Sequence, residues 1–130
     1  MEDATTSSYN TAIGYNALKD STTGGQNVAL GAWSMYECED GVGNVGLGYA
    51  SLGHVTSGDY NVGVGENTGK WISTGNTNVA IGHMALEGTT TGSNNIAIGK
   101  QSLYYATTAS SNIAIGYQAL YTSTTATNLL

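Results

Sequence analysis

A single pattern, Asn followed by a β-branched residue, a small residue, an aliphatic residue and Gly, returns every seventeen residues along this chain. Its Asn falls at Asn10, Asn27, Asn44, Asn61, Asn78, Asn95 and Asn112, with no insertion or deletion between copies. The small residue is Ala in most copies and Gly at Gly46 and Gly63. Seven copies in one register define a repeat protein, and that constraint outranks any local propensity. Positions within each copy are numbered as offsets from its Asn.

Offsets one and three carry aliphatics that alternate with the small residue, as in Val28-Ala29-Leu30 and Ile96-Ala97-Ile98. A period of two is the mark of a short strand. Gly then stands at offset four in every copy, from Gly14 to Gly116. Offset eight is apolar again at Leu18, Met35, Leu52, Leu86, Leu103 and Leu120, with Gly69 as the exception. Offsets twelve and thirteen are mostly hydroxyls, and offset fourteen is Gly in five copies, relaxing to Ala109 and Ala126. Two apolar stretches and two turns per repeat predict one coil of a β-solenoid. Helical repeats run to about 33 residues or more and do not tolerate Gly, Thr and Asn at this density.

The expected fold is therefore all-β: a parallel solenoid of seven 17-residue coils over residues 10–128. Residues 1–9 are a partial leading coil, and 129–130 begin a further coil or a tail. The pentapeptides are expected to stack as one parallel sheet, with the offset-eight segments as a second, facing sheet. Seven coils at about 4.8 Å give a rod roughly 35 Å long. The aliphatics at offsets one and three are expected to face inward, toward the offset-eight ladder. The opposite face would then be a smooth strip of Ala and Gly against which copies pack. So narrow a coil encloses little apolar volume, which points to a homo-oligomer. The register runs through Thr5, Thr6 and Tyr9 at one end and Asn128 at the other, without a visible cap. This suggests a segment of a longer fibre or a subunit that stacks end to end.

Composition narrows the partners. There are 19 Gly, no Pro and no Phe among 130 residues, and the net charge is −6. The bases are Lys19, Lys70 and Lys100 alone, so a nucleic-acid partner is not expected. No apolar run approaches the roughly 18–20 residues of a membrane span. Met1-Glu2-Asp3-Ala4 lacks the basic and apolar regions of a secretory signal, implying another export route or a longer parent chain. One cysteine, Cys38, excludes an internal disulfide.

The repeats Asn10-Thr11-Ala12-Ile13-Gly14-Tyr15-Asn16-Ala17-Leu18 and Asn112-Ile113-Ala114-Ile115-Gly116-Tyr117-Gln118-Ala119-Leu120 resemble those of bacteriophage tail-fibre and tail-spike proteins. They are also similar to the head domains of trimeric autotransporter adhesins, which are left-handed parallel β-rolls. The resemblance spans residues 5 to 128. It implies a trimeric, extracellular or virion-surface rod in adhesion or host attachment. The number three comes from the resemblance alone. A membrane-anchor barrel, coiled-coil stalk or chaperone domain like those of these families is not expected within these 130 residues.

Sites of chemistry are sparse. Gly41-Val42-Gly43-Asn44-Val45-Gly46 spells a dinucleotide fingerprint but lies at a repeat junction, not between a strand and a helix. Gly65-Glu66-Asn67-Thr68-Gly69-Lys70 fails the phosphate-loop spacing, with Trp71 where Ser or Thr is needed. Glu37, Glu39 and Asp40 form the one dense acidic turn, where a calcium site is conceivable but no known calcium-loop pattern is present. His54 and His83 stand at different offsets with no metal-ligand spacing. No catalytic residues, cofactor site or metal site are expected. At offset eleven, Cys38 is expected to turn partly inward. In the fourth coil Trp71 or Ile72 is expected to fill the gap left by Gly69.

The aromatics carry the functional expectation. Tyr15, Tyr49, Trp71, Tyr104, Tyr105 and Tyr117 follow the strand, each joining an apolar face to a polar handle. They form a candidate surface for a cell-surface glycan or protein receptor, or else filler between turns and subunits. The leading expectation is a non-enzymatic structural or adhesive fibre module, part of a phage tail fibre or similar attachment appendage. The alternatives are a self-assembling extracellular filament and, last, an ice-binding solenoid using Thr at offsets twelve and thirteen.

Overall fold

A computed structural model describes residues 6–130. Thr5 and the acidic Met1–Ala4 stretch lie outside the described residues. The strands are β1 (Thr11–Ile13), β2 (Val28–Leu30), β3 (Val45–Leu47), β4 (Val62–Val64), β5 (Val79–Ile81), β6 (Ile96–Ile98) and β7 (Ile113–Ile115). They form one parallel sheet in sequence order. Thr11 pairs with Val28, Val28 with Val45, and Ile81 with Ile98, so like residue lies over like in the 17-residue register. No helix occurs among the described residues. The molecule is a parallel β-solenoid, as the repeat predicts.

The Asn of each repeat fastens the coils. The backbone N–H of Asn44 donates to Asn27 Oδ1 at 2.8 Å, and that of Asn61 to Asn44 Oδ1 at 2.8 Å. The side chain also closes its own coil, since Asn44 Nδ2 donates to the Gly58 carbonyl at 2.8 Å and Asn61 Nδ2 to Gly75 at 2.8 Å. A carboxamide offers a donor and an acceptor on one short stem, which this double role requires. Asn27 through Asn112 are fully buried, and their hydrogen bonds offset the cost of burying an amide.

Two expectations are overturned. The strand faces are reversed. Ala29, Ala80 and Ala97 are fully buried, whereas Ile13, Leu30 and Ile115 are 60%, 49% and 67% exposed. The sheet presents its aliphatics outward and its Ala and Gly inward. Volume decides this. The interior already holds Leu18, Met35, Leu52, Leu86 and Leu103 from offset eight, with Cys38, Val55 and Ile72 from offset eleven. A Cβ on Gly63 would lie 2.6 Å from Ser51 Oγ and 3.0 Å from Leu52 Cγ, so nothing bulky fits there. Neighbouring hydroxyls follow suit. Ser34 and Ser51 donate to the carbonyls of Gly46 and Gly63 at 2.9 and 3.0 Å, across the coil. Where the strand residue is Ala80 or Ala114, Thr68 and Ser102 instead turn back to Gly65 and Gly99, both at 3.0 Å.

The second sheet is also absent among the described residues. Offset eight lies in a turn whose residues adopt positive φ, for instance 50° at Leu18, 52° at Leu52 and 55° at Leu86. A left-handed residue breaks the extended run that a strand needs. The coils still join there, because Leu52 N–H donates to the Thr68 carbonyl at 2.9 Å and Leu86 N–H to Ser102 at 3.0 Å. At offset four, Gly14 has φ 134°, and a Cβ on it would stand 2.6 Å from the Gly31 backbone. Only Gly meets both demands.

In the fourth coil, Ile72 fills the space left by Gly69. Ile72 is fully buried, and a Cβ on Gly69 would come within 2.9 Å of its Cδ1. Trp71 stays outside, 46% exposed. At the two ends, Thr6 N–H donates to the Thr22 carbonyl at 3.0 Å and Leu129 N–H to Asn112 Oδ1 at 2.9 Å.

Candidate functional site

The turn after each strand projects offsets five, six, nine and ten, and stacking brings each offset into a column running along the solenoid. Offset nine reads Lys19, Tyr36, Gly53, Lys70, Glu87, Tyr104 and Tyr121; offset ten reads Asp20, Glu37, His54, Trp71, Gly88, Tyr105 and Thr122. Side chains far apart in sequence thus become neighbours.

Two aromatic clusters result. In the first, Tyr15 meets the Trp33 ring edge-on at 5.6 Å, and Trp33 lies 4.9 Å from Tyr36 at a 52° tilt. In the next column, Glu37 Oε2 accepts from His54 Nδ1 at 2.7 Å. The other side of that chain is a stack, with the His54 and Trp71 rings 4.1 Å apart and 5° from parallel. Lys70 Nζ sits 5.3 Å from the Trp71 centroid. Lys19 Nζ donates to Tyr36 Oη at 3.4 Å and lies 3.8 Å from Asp20. The second cluster joins Tyr104, Tyr105 and Tyr121, with Tyr104 stacked on Tyr121 at 5.3 Å. Burial, with Glu87 and Tyr105 next to it, raises the Tyr104 phenol above its ordinary pKa.

A depression of about 230 Å³ opens in the first cluster. It is lined by Trp33, Tyr36, Tyr49, Ala50, Gly53, His54 and Lys70. Its origin is visible in the columns: in the third coil offset six drops from Trp33 to Ala50, and offset nine from Tyr36 to Gly53.

Of the expected aromatics, Tyr49 lines the depression, Trp71 backs it through His54, and Tyr15 braces Trp33. Tyr104 and Tyr105 belong to the second cluster, while Tyr117 is 67% exposed. They do not form one continuous surface. Trp33, Tyr36, His54 and Lys70 were not among the expected site residues. Comparing like offsets in adjacent copies, instead of residues within one copy, would have found them.

The remaining candidates resolve plainly. The acids of the 37–40 turn diverge: Glu37 turns to His54, and Asp40 Oδ1 accepts from Thr22 and Thr23 hydroxyls at 3.2 and 2.5 Å. Among the described residues, no group of three His, Cys, Asp or Glu side chains stands close enough to hold a metal. Gly41–Gly46 leads into β3 and meets no helix. Cys38 is fully buried, not partly, and burial pushes its thiol up to about 12, with Asp59 and Asp40 adding to the effect. No described helix is long and apolar enough to cross a membrane.

Fold and site together define a narrow parallel β-solenoid with an aliphatic outer strip and an aromatic turn ridge. Comparison with protein-family models, curated proteins and solved structures found no match.

Proposed function

We propose that this chain is a non-enzymatic structural and adhesive module of a fibre, such as a phage tail fibre, working outside the cell or on a virion. The observation that carries this is the outward strip of the sheet. Every outward strand position except Thr11 is Val, Leu or Ile. Seven strands at about 4.8 Å spacing make that strip roughly 29 Å long. An exposed apolar patch of this continuity marks an association surface. Copies of the chain meeting strip to strip would bury it, and three around a common axis is the arrangement that the tail-fibre and adhesin resemblance implies. The packing face is thus the aliphatic one, not the Ala and Gly face expected from sequence. The aromatic ridge comes from different offsets and is left to face a glycan or protein receptor.

Negative-stain microscopy of the purified chain tests this. Discrete rods of constant length support a fibre module; long filaments would favour a subunit that polymerises end to end. Ice binding has the weakest support. Hydroxyls at offset twelve are engaged along the stack, with Thr56 Oγ1 donating to Ser73 and Thr90 Oγ1 to Thr107, each at 3.1 Å.

A further inference from the structure

We propose that the depression between Trp33, Tyr36, Tyr49, His54 and Lys70 binds a single pyranose ring that carries a carboxylate. This rests on the adhesive reading only in leaving the ridge exposed, and it names a ligand class and a place. The cavity, about 230 Å³, falls below the roughly 300–1,000 Å³ typical of sites for drug-sized ligands, and suits one ring. Tyr49 is 53% exposed and its ring is accessible, while Trp33 and Tyr36, packed on each other at 4.9 Å with Lys19 over the Tyr36 ring, complete the lining. A sugar has one apolar C–H face for such rings and a polar rim for phenol and indole donors.

Charge selects among sugars. The chain has nine acids against three bases, yet no carboxylate lines the depression. Its lining cation is Lys70, and Glu37, which is not part of the lining, is turned to His54. On an acidic protein, a cavity with a Lys and without an acid discriminates in favour of an anion. The aromatic walls exclude a bare phosphate or sulfate as the best fit, because such ions gain nothing from them.

Gly53 supplies the test. A Cβ on Gly53 would meet the Ala50 carbonyl oxygen closely, at 3.3 Å, but other copies carry Lys, Tyr or Glu at the same offset, so the coil accommodates a side chain there. Gly53→Gln therefore puts a side chain into the depression at the cost of a small local adjustment. Tryptophan fluorescence is titrated with sialyllactose, a glucuronic-acid disaccharide and neutral lactose, up to about 10 mM. The expected result is saturable binding of at least one acidic sugar, about tenfold tighter than lactose. Gly53→Gln abolishes it at unchanged melting temperature, and Lys70→Gln removes the preference over lactose. Equal binding of lactose, undiminished binding by Gly53→Gln, or no response to any of the three overturns the proposal. Sedimentation of the same samples reports on assembly separately, so failure of one idea does not mask failure of the other.

Discussion

The backbone N–H of Asn78 is held by the side chain of Asn61 in the preceding coil, at 3.0 Å, while Asn61 Nδ2 holds the Gly75 carbonyl of its own coil at 2.8 Å. One buried carboxamide thus serves two coils. Asn61→Ala strands the Asn78 N–H and the Gly75 carbonyl, and each buried orphan costs about 1–3 kcal/mol. A loss of roughly 2–6 kcal/mol in urea unfolding is expected on that basis. Asn10→Ala should cost less, because Asn10 is only partly buried.

The inward strand face tolerates no added volume. Ala97 is fully buried, so Ala97→Val should overpack the coil and cost about 1–3 kcal/mol, despite the better strand propensity of Val. Urea midpoints of the two proteins check this. A gain in stability would mean that the face is not packed as described.

One interior hydroxyl is a liability. Thr89 Oγ1 is buried with no hydrogen-bond partner, in the column where Val55 and Ile72 are also fully buried. Thr89→Val keeps the shape and removes the orphan, so it should stabilise by about 1–2 kcal/mol. Thermal unfolding would register this as a higher Tm.

Cys38 gives a pH signature. Its folded pKa lies above its ordinary 9.0, at about 12, so the folded state prefers the protonated thiol. That contribution is complete below pH 9.0 and is lost as pH climbs from there toward 12. The slope is at most about 1.4 kcal/mol per pH unit. Cys38→Ala should flatten the fall in urea stability between pH 9 and 10.5, and at pH 8 a thiol reagent should label the wild type only as fast as it unfolds.

How much of this could be read from the chain is uneven. The Asn register gave the strand pairing to the residue, because in a repeat fold the period is the topology, although each strand is three residues long and not the whole pentapeptide. It also found alternation at Val79-Ala80-Ile81, but not its sense. Large-inside is a habit of wide cores; here Leu86 and Ile72 already fill the interior, and only a methyl or a hydrogen fits beneath them. The left-handed turn at Leu86 was hidden for a related reason, since an isolated Leu seldom takes positive φ, and only the neighbouring coils make it do so. The site was half legible. Tyr49 and Trp71 stood out singly, whereas Gly53 matters as a missing side chain, a signal that exists only by comparison with Tyr36 and Lys70 above and below.

Sedimentation equilibrium of the wild type beside Ile81→Asp tests whether copies of the chain meet through the aliphatic strip. Ile81 is 38% exposed and points away from the coil interior, so the variant should keep its β-sheet circular dichroism. The wild type is predicted to sediment at three times its 13.3 kDa chain mass, and Ile81→Asp at once that mass. A wild type that remains a folded monomer at tens of micromolar, with the strip bare to water, would contradict the account.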